Sequence, residues 1–238
     1  MQRILLRDRR AVGVRYERGG EVIDVEASQE VVLCAGAIQT PQILELSGVG
    51  GPDVLKDHGI DVVDALSGVG GNLQDHLQFR LMFRCKKPIT TNDDLASWWR
   101  RIGIGFRYFV ARSGPMAVSI NHVGMFARAL HDWKTPDVQF HIAAVTAESV
   151  AGKTHTWSGF TFSVCQLRPK SRDSIHIRSG NVADPPAIRA NYLTRDEGWR
   201  YSIAGVRLAR SLAAAPSMAN YTQSTYRPAS AADSDEEI

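Results

Sequence analysis

Glu30-Val31-Val32-Leu33-Cys34-Ala35-Gly36-Ala37-Ile38-Gln39-Thr40-Pro41-Gln42-Ile43-Leu44-Glu45-Leu46-Ser47-Gly48-Val49-Gly50 is the stretch whose reading decides the fold. Val31, Val32 and Leu33 form a short apolar run without alternation, the pattern of a strand covered on both faces. Ala35-Gly36-Ala37 has almost no side-chain bulk, so a backbone or a flat ligand can approach it closely. Thr40 reads as a helix N-cap and Pro41 as the first helical position. Ile43, Leu44 and Leu46 supply the buried face, and Gly48 suits the residue just past the helix end. A buried strand, a small-residue turn and a helix are the material of an α/β sheet. Many such turns bind a nucleotide and many bind nothing.

Outward from that stretch, 238 residues allow one large domain or two modest ones. An apolar fraction of 44% and a charged fraction of 22% are those of a globular protein. A net charge of +3, spread along the chain, does not point to nucleic acid. No apolar run has the length of a membrane-spanning helix, and Met1 leads straight into the strand-like Ile4-Leu5-Leu6 rather than a secretory leader. A cytoplasmic location follows as the expectation. Three widely spaced cysteines, Cys34, Cys85 and Cys165, read as reduced thiols. Neither they nor the histidines have metal-ligand spacing, so no metal is assigned.

Before the opening stretch, residues 3–26 read as an antiparallel meander with a hairpin turn at Gly19-Gly20. After it, Gly51-Pro52-Asp53 starts a short helix that Gly59 closes. Ser47-Gly48-Val49-Gly50-Gly51 recurs as Ser67-Gly68-Val69-Gly70-Gly71, but neither copy completes GxGxxG, and both read as helix stop and loop. Leu77 to Cys85 is the clearest period-two segment and predicts a strand with one polar face. Leu95, Trp98, Ile102, Phe106 and Phe109 recur at helical spacing and read as a core-facing stripe. Strands are predicted at Val138–Ile142, Phe160–Cys165 and Ile175–Ile177, with a loop over Glu148–Trp157. Strands joined by loops predict a mainly antiparallel sheet. Thr194 or Asp196 caps a last helix carrying Ile203, Val206, Leu208 and Leu212. Ser234-Asp235-Glu236-Glu237 has a capping-box pattern and announces a helix start.

With these residues laid out, a resemblance emerges. Gly36 to Gly50 matches, along its length, the second signature of the glucose–methanol–choline oxidoreductases, flavoenzymes that oxidise alcohols with FAD. The sequence is similar to the bacterial choline-dehydrogenase-like members. Arg10-Ala11-Val12-Gly13-Val14, Gly68 to His76, Arg112-Ser113-Gly114-Pro115, Gln166 to Arg172 and Pro186 to Leu193 resemble further landmarks in family order. One departure is Asp173, where the family carries Gly, and Asp tolerates a left-handed turn.

The resemblance implies an α/β plus α+β fold: a partial FAD-binding, Rossmann-like domain over residues 1–76 and a mainly antiparallel substrate domain over 77–225. Residues 226–238 then form a lead-in to a further segment. It implies FAD as cofactor, contacted by Ala35, Gly36, Ala37 and Asn72, and a substrate pocket drawing on His122, Gln139 and His141. For Ala35–Ala37, packing against a further strand is the competing role; for His141, it is an ordinary place on a sheet face. His76 reads as shaping a loop near the cofactor. The implied activity is that of an alcohol dehydrogenase or oxidase, with an alcohol substrate and an electron acceptor as partners. Family members are longer. Their pyrophosphate-binding GxGxxG and the segment holding their catalytic His have no counterpart within these residues, so no catalytic residue is assigned. The expectation is an internal piece of an enzyme, inactive alone. The rival is a non-catalytic remnant or a subunit that complements the missing halves of a split flavoenzyme.

Overall fold

The computed structural model describes residues 1–130, 133–149, 152–228 and 234–235. In chain order, β1 (Arg3–Arg7), β2 (Arg10–Arg18), β3 (Glu21–Glu26), α1 (Gly36–Leu46), β4 (Val49–Gly50), α2 (Pro52–Asp57) and β5 (Asp64–Ala65) come first. β6 (Gln78–Cys85), α3 (Thr91–Ala96), α4 (Trp98–Ala111), β7 (Val123–Ala127), β8 (Val138–Ala143) and β9 (Gly159–Gln166) follow. β10 (Ser174–His176), β11 (Ala187–Arg189), α5 (Asp196–Ala214), α6 (Pro216–Ala219) and β12 (Thr222–Arg227) complete the order. Two compact units divide the chain: Met1–Asp75 with Ser171–Thr194, and His76–Lys170 with Arg195–Ile238.

In the first unit β1, β2 and β3 form the expected antiparallel meander. Gly19 and Gly20 both take positive φ, as the two-residue turn between Arg18 and Glu21 requires. α1 begins at Gly36, earlier than the Thr40 cap predicts, and holds Pro41 inside it. The missing N–H of Pro41 removes only a bond to the carbonyl of Ala37, which is exposed and near the helix start, where water replaces it. Gly48 ends the helix as predicted, at φ +82° with its N–H donating to the carbonyl of Glu45 (2.9 Å). The buried face of α1 also differs from the apolar pattern, because Gln42 and Glu45 share it with Ile43 and Leu46 while Leu44 is only half-buried.

Val31–Leu33 is not a strand. The segment lacks regular structure and Val32 is 73% exposed. A two-face-buried strand needs neighbours, and none of the described strands pairs with it. A further difference concerns residues 171–194, which the pattern groups with 77–225. An antiparallel bridge between Leu73 and Asp173, closed by N–H to carbonyl bonds of 3.0 and 2.8 Å, ties them to the first unit. Asp173 is not left-handed: it is buried and its carboxylate accepts the N–H of Asn191 (2.8 Å).

The second unit is built on a five-stranded sheet in the order β12-β6-β9-β8-β7, antiparallel at every pairing. The sequence pattern finds β6, β8 and β9; β7 and β12 carry too little alternation to be read. Leu81, Phe83, Val138, Phe140, Phe160, Phe162 and Val164 line one face of the sheet. They form the core with Val206, Ala209 and Ala213 of α5. α5 starts behind Arg195, with no side-chain cap from either predicted residue. Gly205 permits the close approach of α5 to the sheet, since a Cβ there meets Val164 Cγ2 at 2.8 Å. On β6 the predicted polar register is interrupted, because Met82 is buried.

The stripe on α4 overturns its expectation. Trp98, Trp99, Ile102, Phe106, Phe109 and Val110 are 55% to 76% exposed, so they are surface and not core. Their half-buried helix neighbours Ile104 and Tyr108 take the inward face instead. The helix start announced at Ser234–Glu237 lies partly outside the described residues, as does His131.

Candidate functional site

Two places carry the candidate residues, one in each unit. In the first, Gly36 takes φ +77°, and a Cβ built on it meets nothing within 4 Å. The left-handed turn therefore needs glycine for its backbone, while the space above it is open. No side chain caps the start of α1 and no acidic residue lies in its first turn. Its first amides and the positive end of its dipole are thus available to an acceptor or anion. Ala35 and Ala37 add no bulk. This open, small-residue, uncapped turn fits a flat cofactor with polar edges.

Asn72 lies in the same unit. It is exposed and left-handed, at φ +58°. It follows the loop that Gly70 holds by accepting the N–H of Ile175 (2.7 Å). A Cβ at Gly70 would stand 2.2 Å from the carbonyl oxygen of Ile175, so that glycine serves packing, in keeping with the plain loop reading.

Glu45 is the residue that periodicity missed. It is wholly buried; one carboxylate oxygen accepts the N–H of Ile177 (2.8 Å) and the other lies 2.6 Å from His176 Nδ1. Gln42, one turn earlier, donates through Nε2 to the carbonyl of Asp184 (2.8 Å). Two polar side chains of α1 therefore fasten the returning segment 171–194 to the helix. Their spacing of three is the only sequence signal, and it is masked by the apolar residues between them. A cavity of about 800 Å³ also lies in this unit, beside β1, but none of the candidate residues lines it.

In the second unit, cross-strand register decides which side chains share a face. Arg80, Ser163 and His141 stand in one row, and Gln78, Cys165 and Gln139 in the next. These rows are on the side of the sheet opposite the Phe140–Phe162 core. Thr161 and Ser163 are buried there, and Thr161 donates to the carbonyl of Val145 (2.7 Å). The structure thus brings Gln139 and His141 onto one polar face with Ser163 and Arg80, able to hydrogen-bond a hydroxyl. His122 is placed differently. It precedes β7 and lines an apolar pocket of about 270 Å³ with Ile142, Phe160, Phe162, Met218 and Tyr221, which Gln139 and His141 do not line. His76 is exposed, with Nε2 3.2 Å from the carbonyl of Leu167.

Near the edge of the same sheet, His155 stacks on Trp157 (4.5 Å) and sets Nε2 2.7 Å from a carboxylate oxygen of Glu148. That hydrogen bond holds the Glu148 carboxyl below the usual range. Arg84 lies over the Trp157 ring at 4.4 Å and so occupies the aromatic face that a cationic ligand would use. Among the described residues, no group of three or more His, Cys, Asp or Glu is placed to hold a metal ion.

Comparison with known proteins places these elements. Residues 1–78 match the family model described as GMC oxidoreductase. An oxygen-dependent choline dehydrogenase of Xanthomonas campestris pv. campestris is 35% identical over 238 residues, covering 99% of this chain and 43% of the relative. The Stenotrophomonas maltophilia protein of the same name is 36% identical over 236 residues, covering 99% and 42%. The chain therefore spans less than half the length of the curated relatives it matches. Among solved structures, formate oxidase of Aspergillus oryzae RIB40 superposes with a TM-score of 0.90 at 22% identity, over 99% of this chain and 46% of that one. Pyridoxine 4-oxidase from Mesorbium loti gives 0.79 at 21%, over 99% and 42%. At those identities the likeness shows the fold.

Proposed function

We propose that the chain, whose residues 1–78 match the GMC oxidoreductase model, comes from a member of that family and that its residues serve the FAD-dependent oxidation of an alcohol to an aldehyde or ketone. The observation that carries this reading is the open, uncapped start of α1 at Ala35-Gly36-Ala37, within the matched residues 1–78. Relatives named choline dehydrogenase, and structural neighbours named formate and pyridoxine oxidases, one of them studied for modification of its FAD, support it.

In this reading residues 1–76 hold the cofactor: Ala35 and Ala37 keep side chains out of its way, Gly36 turns the chain, and Asn72 offers a side-chain amide. Glu45 and Gln42 act as positioning residues, fixing α1 against 171–194. Bound FAD would supply the acceptor for hydride from the carbinol carbon. Residues 77–170 and 195–225 hold the alcohol. Gln139 and His141 orient its hydroxyl from the polar sheet face, whereas His122 lines a separate apolar pocket and is given no part in holding the alcohol. None of the seven histidines is assigned as the base that takes the hydroxyl proton.

The 238-residue chain by itself is proposed to be inactive, since it contains no GxGxxG to bind the pyrophosphate. The test is to titrate FAD into the purified chain, follow flavin fluorescence, and then add choline or an aryl alcohol. Weak uptake, further weakened by Gly36→Val, with no alcohol-dependent bleaching, is the expected result. Stoichiometric flavin with turnover overturns the inactivity. Uptake indifferent to Gly36→Val overturns the cofactor turn. A second reading, a subunit complementing another chain, is favoured by Val31–Leu33, which none of the described strands pairs and whose Val32 is exposed, so that an added strand would find a partner there. Flavin uptake appearing only after a chain carrying the GxGxxG segment is supplied selects that reading.

A further inference from the structure

The five strands of the second unit's sheet contain three arginines, Arg80, Arg84 and Arg227, and no Asp or Glu on either face. Two of these arginines are engaged. Arg84 lies over the Trp157 ring at 4.4 Å, and Arg227 is 4.0 Å from Glu148. Arg80 differs. It is half-buried in the row Arg80, Ser163 and His141, and it reaches the carbonyl of Ala147 only through a long hydrogen bond of 3.4 Å. Among the described residues no carboxylate pairs with it. Glu148 follows Ala147 directly, but its carboxylate is held by His155 Nε2 at 2.7 Å. A partly desolvated guanidinium without a counter-charge favours an anion beside it.

We infer that the alcohol held on this face is a hydroxy acid, with Gln139 and His141 taking its hydroxyl and Arg80 its carboxylate. The inference rests on the reading of this polar face as the alcohol site and adds the charge of the ligand. Neighbouring strands lie about 4.8 Å apart, so β6 and β8 stand roughly 10 Å apart with β9 between them. Arg80 and His141 stand on the same side of that gap, which their side chains and a short carbon chain can bridge above Ser163. The fork of the guanidinium matches the two oxygens of a carboxylate, and the low polarity beside buried Thr161 and Ser163 strengthens that pairing. The same face disfavours a quaternary ammonium alcohol. No strand carboxylate meets such a cation, Arg80 repels it, and the aromatic face of Trp157 is already taken by Arg84. Ligand charge is therefore set by β6, while the hydroxyl is oriented from β8.

The test is saturation-transfer NMR on the 238-residue chain at neutral pH, with 3-hydroxypropionate, 1,3-propanediol, propionate and choline as ligands. The hydroxy acid is expected to bind at least about tenfold more tightly than the diol, with propionate weaker than the hydroxy acid and choline weakest of all. Arg80→Gln brings the hydroxy acid down to the level of the diol and leaves the diol unchanged, while Arg80→Lys keeps part of the preference. His141→Ala weakens the hydroxy acid and the diol alike. Added salt weakens the hydroxy acid and not the diol. Circular dichroism checks the fold of each variant; should Arg80→Gln unfold, the ranking of the four ligands on the unsubstituted chain decides. A hydroxy acid bound no better than the diol, or a preference that Arg80→Gln leaves intact, overturns the inference and spares the alcohol site. Propionate as tight as 3-hydroxypropionate also overturns it, because Arg80 then holds an anion apart from the hydroxyl groups. Binding of neither alcohol nor hydroxy acid overturns the alcohol site and the inference together.

Discussion

Glu45 lies among Ile43, Leu44 and Leu46, where an apolar pattern reads past it, yet it is wholly buried and holds two partners from segment 171–194. A buried carboxylate persists only when its lone pairs are met, and here a backbone amide and an imidazole meet them. Glu45→Ala removes both acceptors and leaves the N–H of Ile177 without one, which costs about 2–3 kcal/mol. Glu45→Gln retains one acceptor oxygen and costs about 1 kcal/mol less than that. Urea unfolding followed by circular dichroism measures both, and equal stability of the two variants would show that the acceptor oxygen retained by Glu45→Gln contributes nothing. Glycines divide differently. Gly48 and the Gly19-Gly20 pair were legible as left-handed turns from residue type alone. The demand at Gly70 comes from the Ile175 carbonyl, over a hundred positions away in sequence, which no local pattern reveals.

Elements were legible where their own residues decide them. The meander β1–β3, α2 between its proline and Gly59, and β8 and β9 with their alternation all form as the sequence predicts. Val31–Leu33 and the α4 stripe fail for a shared reason: an apolar pattern states that a surface is suited to burial, not that a partner is there to bury it. The contact of α5 with β9 was invisible for the opposite reason, since a glycine adds nothing to a hydrophobic period. At Gly205 an added methyl meets Val164 Cγ2 at 2.8 Å, so Gly205→Ala sets an overpacking cost of about 1–3 kcal/mol against a helix-propensity gain of about 1 kcal/mol. A net loss is expected, and Val164→Ala in the same chain should recover part of it. A double-mutant cycle showing strict additivity would mean that the two groups do not touch. A second contact joins the segment after β11 to the end of the first unit's leading stretch. The Tyr192 hydroxyl donates to Asp75, and this bond, then burial and the Asp75 charge, push the phenol from 10.0 up to about 12. An acid whose folded pKa is raised favours its neutral form in the fold. Its contribution is full below pH 10 and is lost as pH rises to about 12. Tyr192 should ionise late in an ultraviolet absorbance titration, and Tyr192→Phe should remove one phenol from the late phase. A late phase that the substitution leaves undiminished would detach the shift from Tyr192.

For the molecule as a whole, the candidate site was legible as a set of residue types and a landmark order, not as an arrangement. Ala35, Gly36 and Ala37 are local to one turn, so their openness follows from the sequence. Gln139 and His141 fall on one face because register with β9 puts them beside Cys165 and Ser163, and register is a property of the sheet. The departure of His122 into a different pocket depends on where β7 begins, which the pattern did not mark. What the whole molecule adds is an imbalance: its sheet has a well-filled core beneath α5, while six large apolar side chains of α4 remain at the surface. A folded monomer rarely exposes a contiguous patch of that kind without a ligand for it. The folded chain should therefore bind the anionic dye ANS at native pH, with its sulfonate beside the arginines that border the stripe. Near-ultraviolet circular dichroism separates this from a molten state, which binds the dye only after its tertiary signal is gone. Phe106→Ser/Phe109→Ser should remove more than about half of the dye fluorescence while the tertiary signal stays, because the dye reports exposed apolar area. Dye binding that the double substitution leaves intact would place the exposed surface elsewhere. Its absence from the unsubstituted chain would mean that the stripe is already covered in solution, and the oligomeric state would then identify the cover.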